Sequence, residues 1–401
     1  MNPIARLTVT TPDGTSGELS RQDQGAYLFR YGIGVEASSQ ISLTMGVRDT
    51  GFLSQGLHPI FQMNLPEGYV LEQLRDRLAK VATLDPMLLI ALTGSGSPVG
   101  RVMVRSDIVD AWVGRSGSLQ GENLQKLLAW DGAQDLFTRL VDKYIFRAGI
   151  SGVQPKVLVP EFQETDPKAT LLTPELIVKS GRSEFPGLAA NEFLCMDAAR
   201  RAGIAVPEFF LSENRQLFIM RRFDRTARQQ ALGFEDMAVL TGRGTEQKYQ
   251  GSYSQIAKAI RLFCGPAHIS ASLSQLFDMV ALSCIVGNGD AHLKNFGLLY
   301  SDSSGSDARL APAYDIVNTT AYLRDDALAL SLAGSKSLFH SRLGILEFAQ
   351  DCDIGNPRER VRELIDATYD ALKANHHLRD EIAPVFTAIE YCAGQFHESF
   401  R

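Results

Sequence analysis

Hydrophobic and polar residues alternate through much of residues 1–106, and this period of two predicts β-strands. Pro12-Asp13-Gly14 is a turn sequence between two such segments. Strands are expected at 4–9, 26–31, 41–45 and 99–104, and apolar spacing typical of helices appears at 68–82 and 87–92. The pattern therefore predicts a small α+β subdomain.

Residues 107–135 include a polar, Gly- and Ser-rich tract and are predicted to be a linker or a surface excursion. Residues 136–234 then read as a helix, two strands, a helix that ends at Gly203, and a strand pair. The expected positions are 136–143, 156–160, 176–179, 191–202, 209–211 and 217–220. Helices dominate residues 235–401, with expected positions at 253–264, 270–287, 357–374 and 379–392. The fold class is therefore α+β, with a small lobe, a cleft and a helical lobe.

Composition narrows the classes of function. The net charge of -6 argues against a protein that coats nucleic acid through bulk positive charge. The five cysteines are scattered and form no C-x-x-C pair, which argues against a zinc ribbon or a disulfide framework. The N-terminal segment has no apolar run with a cleavage site, so a cytoplasmic protein without a membrane partner is expected.

The segment GNGDAHLKNF (287–296) carries the strongest chemical signal. It follows a mostly apolar helix and precedes a short strand, with Asp290 and Asn295 five positions apart. A carboxylate that orients an attacking hydroxyl, next to an amide that holds Mg²⁺, suits a phosphoryl-transfer site. A plain turn is the competing interpretation, because Asp-x-x-x-x-Asn is common.

A second carboxylate, Asp315, follows a strand-like segment in PAYDI (312–316). One hairpin between Asn295 and Asp315 would bring both to the same cleft, where Asp315 suits a second magnesium ligand.

Three weaker signals precede these carboxylates. GISGVQPK (149–156) is a Gly-rich turn that feeds a strand and is suited to lie over phosphate, although a plain hairpin entry explains it equally well. Lys179 ends an apolar strand and Glu192 is its expected partner, with a solvated strand end as the alternative. Arg221, Arg222 and Phe223 follow another strand, at the place where a kinase has its hinge, and an exposed basic strand explains them equally well.

The ordered set resembles the HipA family of bacterial serine/threonine kinases, the toxins of HipBA-type toxin–antitoxin modules. Because the resemblance covers nearly the whole chain, it implies a protein-kinase-like two-lobed fold with a mostly helical C-lobe and a small N-terminal subdomain. The strings that carry it are SGVQPK (151–156), IVKSG (177–181), NEFLCMDAARRAGIAVP (191–207), RRFDR (221–225), GNGDAHLKNF, PAYDI and LPEGY (65–69).

The resemblance implies roles for individual residues. Asp290 would be the catalytic base, Asn295 and Asp315 would bind Mg²⁺, and Glu192 would support Lys179. The residues implied to bind ATP are Ser151, Gly152, Val153, Gln154, Pro155, Lys156, Lys179, Arg221, Arg222, Phe223, His292, Leu293, Lys294, Asn295, Tyr314 and Asp315.

The resemblance also implies a regulatory site and partners. In well-known members an autophosphorylated serine lies near the start of the Gly-rich loop, where this chain has Gly149. Ser151, two positions further on, is a serine in other members of the family and is therefore the predicted phosphosite. Arg221 also stands where a well-known member has Glu. The implied partners are a HipB-like helix-turn-helix antitoxin, operator DNA mainly through that antitoxin, and an aminoacyl-tRNA synthetase as substrate. A small-molecule phosphotransferase and a non-catalytic partner of antitoxin and DNA remain the alternatives.

Overall fold

The computed structural model describes residues 3–80, 82–94, 96–113, 121–132, 135–147, 154–162, 175–181, 184–323 and 326–401. An antiparallel sheet in the order β4-β3-β2-β1-β5 organises the N-terminal region. Its strands are β1 (Arg6–Thr11), β2 (Gly14–Arg21), β3 (Ala26–Tyr31), β4 (Phe52–Gln55) and β5 (Met103–Arg105). The helices of this region and of the segment that follows are α1 (Pro59–Gln62), α2 (Gly68–Leu78), α3 (Pro86–Thr93), α4 (Asp107–Val113), α5 (Leu124–Leu128) and α6 (Leu136–Tyr144).

The prediction of a strand at 41–45 was wrong, because hydrogen bonds to a tyrosine hold this segment in another conformation. Ile41 and Met45 are buried, but they lie in a turn that the Tyr31 hydroxyl holds in place. That hydroxyl accepts from the Ile41 amide at 3.1 Å and donates to the Met45 carbonyl at 2.5 Å. Strand β2 was missed because its polar sequence hides it. A Cβ at Gly17 would lie 2.1 Å from the Arg30 carbonyl oxygen, so this strand tolerates only glycine there.

A second antiparallel sheet forms the small lobe, in the order β6-β7-β9-β8. It consists of β6 (Lys156–Pro160), β7 (Glu175–Ser180), β8 (Phe209–Leu211) and β9 (Leu217–Arg221), with α7 (Leu188–Arg201) between β7 and β8. The strands and the helix predicted in this part of the sequence are confirmed. Gly203 follows α7 with φ +75°, the left-handed conformation expected of a glycine after a helix end.

The last part of the chain is mainly helical and contains a third sheet, in the order β10-β11-β12. Its strands are β10 (Gly233–Asp236), β11 (Gly297–Tyr300) and β12 (Arg309–Leu310). The helices are α8 (Met237–Leu240), α9 (Tyr253–Phe263), α10 (Ile269–Val286), α11 (Ser341–Asp351), α12 (Pro357–Ala374) and α13 (Ala383–Phe400). The helix expected at 379–392 therefore begins later and extends to Phe400. Helix α4 forms inside the segment expected to be a linker.

Helix α10 is the apolar centre of the helical lobe. Among the described residues, the stretch Pro266–Val286 alone has the length and hydropathy to cross a membrane, but 72% of it is buried inside the protein. It packs against α9, α12 and α13, so it is a core helix. Its end matters for the site, because the Asp290 segment begins there.

Candidate active site

A cavity of about 590 Å³ lies between the small lobe and the helical lobe. Residues from the N-terminal region, the second sheet and the loops after α10 and β12 all contribute to its wall. The implied catalytic base, Asp290, lines it together with ten of the residues implied to bind ATP: Gln154, Pro155, Lys156, Lys179, Arg222, Phe223, His292, Lys294, Tyr314 and Asp315. The structure thus brings together segments that are far apart in the sequence.

The Asp290 loop is set by tight packing after α10. Gly287 ends the helix with φ +73°, and a Cβ there would lie 2.8 Å from the Thr320 hydroxyl oxygen. At Gly289 a Cβ would lie 2.1 Å from an Asp326 carboxylate oxygen, so neither glycine accepts a side chain without movement. The Asp290 amide donates to Asn288 Oδ1 at 2.9 Å, and the Gly289 amide donates to Thr319 Oγ1 at 2.7 Å. These contacts fix the backbone on the N-terminal side of Asp290.

The Asp290 carboxylate lies in a different environment from an ordinary surface acid. Burial raises its pKa, and a hydrogen bond from the Tyr249 hydroxyl, with 2.8 Å between the oxygens, opposes this increase. A carboxylate whose pKa is raised by burial is better able to accept a proton near neutral pH.

Two lysines lie opposite each other on neighbouring strands of the small-lobe sheet. Lys156 on β6 pairs in register with Lys179 on β7, and both are buried. Opposed like charges destabilise a sheet unless anions compensate them. Lys179 Nζ lies 2.5 Å from Glu192 Oε1 and forms an ion pair with Asp315, while Lys156 Nζ lies 3.8 Å from Asp315 Oδ2. The ion pair expected between Lys179 and Glu192 is therefore present in the structure.

This charged cluster shifts the pKa of its members in opposite directions. Burial by itself disfavours the charged form of Lys179, but Asp315 and Glu192 outweigh burial and raise its pKa. Burial would likewise raise the pKa of Asp315, and the cations Lys179 and Lys156 outweigh it and hold that pKa well below the ordinary range. Lys156 has weaker compensation, and burial lowers its pKa.

Asp315 reaches the cleft through the predicted hairpin. Strands β11 and β12 are antiparallel, with Leu298 opposite Leu310. Asp315 has φ +56°, a left-handed backbone conformation that is unusual for a residue with a side chain. Such conformations are held by their surroundings and concentrate at functional sites.

His292 and Asn295 lie on the short segment after Asp290. Burial lowers the pKa of His292 to about 3, so its imidazole is neutral. Within the described part of the chain its buried Nδ1 has no hydrogen-bond partner, although the residue lines the cavity. Asn295 Oδ1 accepts from the His292 amide at 2.9 Å, and neither Asn295 nor Leu293 is among the cavity-lining residues.

Part of the cavity wall is aromatic. The Phe223 ring lies 5.3 Å from that of Tyr314 and 5.8 Å from that of Phe234, between centroids. Ile177 and Met220 line the same cavity. A planar heterocycle suits such a wall.

The hinge arginines behave differently from each other. Arg222 lines the cavity and is tied by its guanidinium to Glu175 and Asp224, each at 2.6 Å. Arg221 is not among the lining residues; it pairs with Glu161 and with Glu208, at 2.6 Å for the latter. Ser151, Gly152 and Val153 lie outside the described residues, so only Gln154, Pro155 and Lys156 of the predicted phosphate loop are placed.

Several cavity residues were not anticipated from the sequence: Asp236, Lys248, Tyr249 and Asp326. Lys248 and Lys294 both pair with Glu67, Lys248 through an Nζ–Oε2 distance of 3.5 Å and Lys294 through an Nζ–Oε1 distance of 2.6 Å. Glu67 belongs to the LPEGY string, whose resemblance to the family implies no role for this carboxylate. No motif marks Lys248 or Tyr249, so nothing in the sequence singled them out.

The residues present suit ATP and magnesium. Among the described residues no group of three or more His, Cys, Asp or Glu side chains gathers into a metal site. Asp315 and Asn295 instead offer one carboxylate and one amide, and Mg²⁺ is commonly held by one or two protein groups together with substrate phosphates and water. His292 Nδ1, which has no partner among the residues that the structure describes, and the two lysines add polar groups that a phosphorylated ligand can engage.

Comparison with known proteins shows the family. Residues 148–376 match the HipA-like C-terminal domain, a segment longer than half of the chain, and residues 7–105 match the HipA N-terminal domain. The HipA of Shewanella oneidensis MR-1, solved with HipB and its operator DNA, has a TM-score of 0.67 and 18% identity. That similarity covers 98% of this chain and 97% of that one, so the whole α+β, kinase-like fold is shared.

Sequence relatives agree with this. A putative kinase of Sinorhizobium fredii, Y4dM, is 30% identical over 230 residues, which are 52% of this chain and 54% of that protein. A putative kinase of Haemophilus influenzae is 32% identical over 190 residues, 43% of this chain and 53% of that protein. The chain spans about half the length of the curated relatives it matches. With both domain matches in chain order on one shared fold, the chain belongs to the HipA family.

Proposed function

We propose that this HipA-family chain is a magnesium-dependent protein kinase that transfers the γ-phosphoryl group of ATP to a serine or threonine hydroxyl. The observation that carries the proposal is the meeting, in one cavity, of Asp290 with the Lys179–Asp315 ion pair. The Lys179–Asp315 pair suits phosphate binding, and Asp290 suits proton acceptance. The aromatic part of the cavity wall would supply a place for the nucleotide base.

Each part of the cavity has a task in this proposal. Phe223 and Tyr314 would contact the adenine, and Lys156 and Lys179 would contact phosphate oxygens. Asp315 and Asn295 would hold Mg²⁺, which when bound neutralises charge on the transferred phosphoryl group. Asn295 Oδ1 already accepts one hydrogen bond, from the His292 amide, and would use its second lone pair for the metal ion.

Asp290 would take the proton of the acceptor. The acceptor oxygen forms a bond to the γ-phosphorus, the bond from that phosphorus to the β–γ bridging oxygen breaks, and ADP leaves. The proton of the hydroxyl passes to the Asp290 carboxylate, whose pKa burial raises in the direction that a general base requires.

The acceptor and the partners are proposed from family membership. The acceptor would be a protein, with an aminoacyl-tRNA synthetase as the first candidate, and the chain would act as the toxin of a toxin–antitoxin pair in the cytoplasm. The Shewanella HipA was solved with HipB and operator DNA. We therefore propose a HipB-like antitoxin as partner, with DNA contacted mainly through it, in keeping with the net charge of -6.

The proposal is tested with ATP labelled at the γ-phosphate, Mg²⁺, and a cell lysate or dephosphorylated casein as acceptor. Asp290→Asn should lower label transfer to protein by about 10²–10⁴-fold, the usual contribution of a general base, and leave ATP binding intact. The control is Asp366→Asn on the exposed side of α12. Label found solely on small molecules would favour the phosphotransferase alternative, and full activity in Asp290→Asn would refute the role of Asp290.

Autophosphorylation at Ser151 is a separate part of the proposal. The Ser180 amide donates to the Pro155 carbonyl at 3.0 Å, so the C-terminal end of the loop is tied to β7 next to Lys179. About two negative charges added at Ser151 would act on this phosphate-binding region and reduce ATP binding. Mass spectrometry after incubation with Mg·ATP should find phosphate on Ser151, and Ser151→Ala should remove it; an unmodified Ser151 would refute this part.

A further inference from the structure

Tyr249 is the direct neighbour of the proposed base, and no motif marks it. It lies in the turn before α9, and its hydroxyl donates to Asp290 Oδ1 with 2.8 Å between the oxygens. Its ring meets the His292 ring edge-on, with centroids 5.1 Å apart. Tyr249 and His292 both line the cavity, so the hydroxyl is part of the wall of the site although the residue is 43% exposed.

The backbone around Tyr249 is tied to the same loop that carries Asp290. The Leu293 amide donates to the Lys248 carbonyl at 3.1 Å, which joins this turn to the segment after Asp290. Lys336 Nζ donates to the Tyr249 carbonyl at 3.0 Å. These two contacts fix the backbone from which the Tyr249 side chain reaches Asp290.

Burial and the neighbouring carboxylate keep the phenol of Tyr249 protonated and therefore a donor. Burial, followed by the negative charge of Asp290, raises the pKa of Tyr249, so the phenol stays protonated over the physiological range. Asp290 itself faces Tyr249, Lys248, Asp315 and Asp326; its pKa is raised by burial and by the two acids and lowered by Tyr249 and Lys248. His292, the neutral ring beside the phenol, adds no charge.

We propose that Tyr249 is a positioning residue of phosphoryl transfer, which holds Oδ1 of Asp290 and leaves Oδ2 directed to the acceptor hydroxyl. This inference rests on the proposed kinase function. The reacting atoms do not include Tyr249: the acceptor proton passes to Oδ2 of Asp290, and the Tyr249 proton stays on the phenol throughout.

If Tyr249 positions Asp290, Tyr249→Phe should change kcat and its pH profile, whereas a merely structural role would leave both unchanged. Loss of one hydrogen bond to a charged group should lower kcat about 10-fold, while KM for Mg·ATP stays within about 2-fold. The acid limb of the kcat profile should move to higher pH, because the bond that lowers the pKa of Asp290 is gone. Turnover is measured as ADP release with Mg·ATP and dephosphorylated casein, and Tyr391→Phe, an exposed tyrosine on α13, is the matched control.

Three results would overturn the inference. An unchanged kcat and pH profile would show that Asp290 does not need the hydrogen bond from Tyr249 to its Oδ1 for phosphoryl transfer. A faster Tyr249→Phe enzyme would show that the phenol blocks the acceptor position, and phosphate on Tyr249 would show that it is itself an acceptor.

A second measurement does not depend on activity. In protein labelled with ¹³C at tyrosine Cζ, the resonance that disappears in Tyr249→Phe should titrate well above the ordinary tyrosine pKa and move to lower pH in Asp290→Asn. If Asp290→Asn leaves that titration unchanged, the contact is absent and the inference falls. A wild-type protein without ATP turnover would refute the proposed function instead, whatever the titration shows.

Discussion

The two carboxylates of the cleft, Asp315 and Asp290, are held in opposite ways. Asp315 meets two buried lysines, one of which is shared with Glu192, and its pKa is held well below the ordinary range. Asp290 is held by the neutral hydroxyl of Tyr249, and burial raises its pKa. A permanent charge suits binding of metal and phosphate, whereas a neutral donor leaves a carboxylate able to take a proton.

The difference also concerns stability. The Asp315 cluster contains charges that are expensive to bury unless every partner is present. Asp290→Asn should cost little stability, because the amide oxygen of the new side chain still accepts the hydrogen bond from Tyr249. The cluster should therefore be important for both folding and activity, and Asp290 mainly for activity.

Lys179→Met should have the largest effect, because it leaves the buried Glu192 and the half-buried Asp315 without their shared cation. We expect a loss of about 3–5 kcal/mol in the free energy of unfolding, as for other broken buried pairs, and loss of phosphoryl transfer. Urea unfolding and ADP release measure the two effects. The exposed Lys80 on the turn after α2 supplies the control, Lys80→Met, and equal stabilities of the two variants would contradict the cluster's role.

Asp315→Asn and Asp290→Asn should differ in the pH dependence of stability. The folded pKa of Asp315 is below its unfolded value of about 3.9, so its contribution is present at neutral pH and is lost as the pH falls below about 4. The folded pKa of Asp290 is raised, so its charge costs stability at neutral pH, and this cost disappears as the pH falls.

Thermal unfolding from pH 3 to 8 distinguishes the two variants. At pH 7, Asp315→Asn should be less stable than the wild type, and Asp290→Asn should be equally stable or more stable. Both differences should shrink toward pH 3. If both variants were less stable than the wild type at pH 7, or both more stable, the two carboxylates would not differ in the way proposed.

Lys156→Met should be milder than Lys179→Met. Lys156 lies 3.8 Å from Asp315, and burial already lowers its pKa, so its removal leaves Asp315 with its closer partner, Lys179. We expect a change of at most about 1 kcal/mol in unfolding and a roughly 10-fold higher KM for Mg·ATP through the lost phosphate contact. An effect on stability as large as that of Lys179→Met would show that the two lysines act as one unit.

Glu67→Gln should have the smallest effect. It removes the charge that joins the N-terminal region to Lys248 and Lys294, in partly buried pairs worth about 1 kcal/mol. Unfolding should be slightly easier and kcat should change by no more than about 3-fold, whereas Glu72→Gln on the exposed face of α2 should change neither. A large fall in kcat would make the N-terminal region part of the catalytic arrangement.

Local pattern was sufficient for much of the fold. Strand β6 and helix α12 were predicted at their observed bounds. Helix α12 has apolar residues at helical spacing and begins at a proline, and β6 is a short, fully buried run that ends at Pro160. The pattern failed where a tertiary contact replaces a strand, as at Ile41 and Met45, which Tyr31 holds in a turn. It also failed in β2, whose polar residues conceal a strand that pairs on both sides.

The sequence by itself determined the order of the chemical groups: Lys179, Glu192, Asp290, Asn295 and Asp315, on segments whose periodicity predicts a strand, a helix and a hairpin. Tertiary structure alone decided which groups meet. It turned Arg221 toward Glu161, away from the cavity, and brought Tyr249 to Asp290 and Glu67 to Lys294. The reason is physical, because a hydrogen bond or ion pair between residues far apart in the chain leaves no trace in the spacing of either segment.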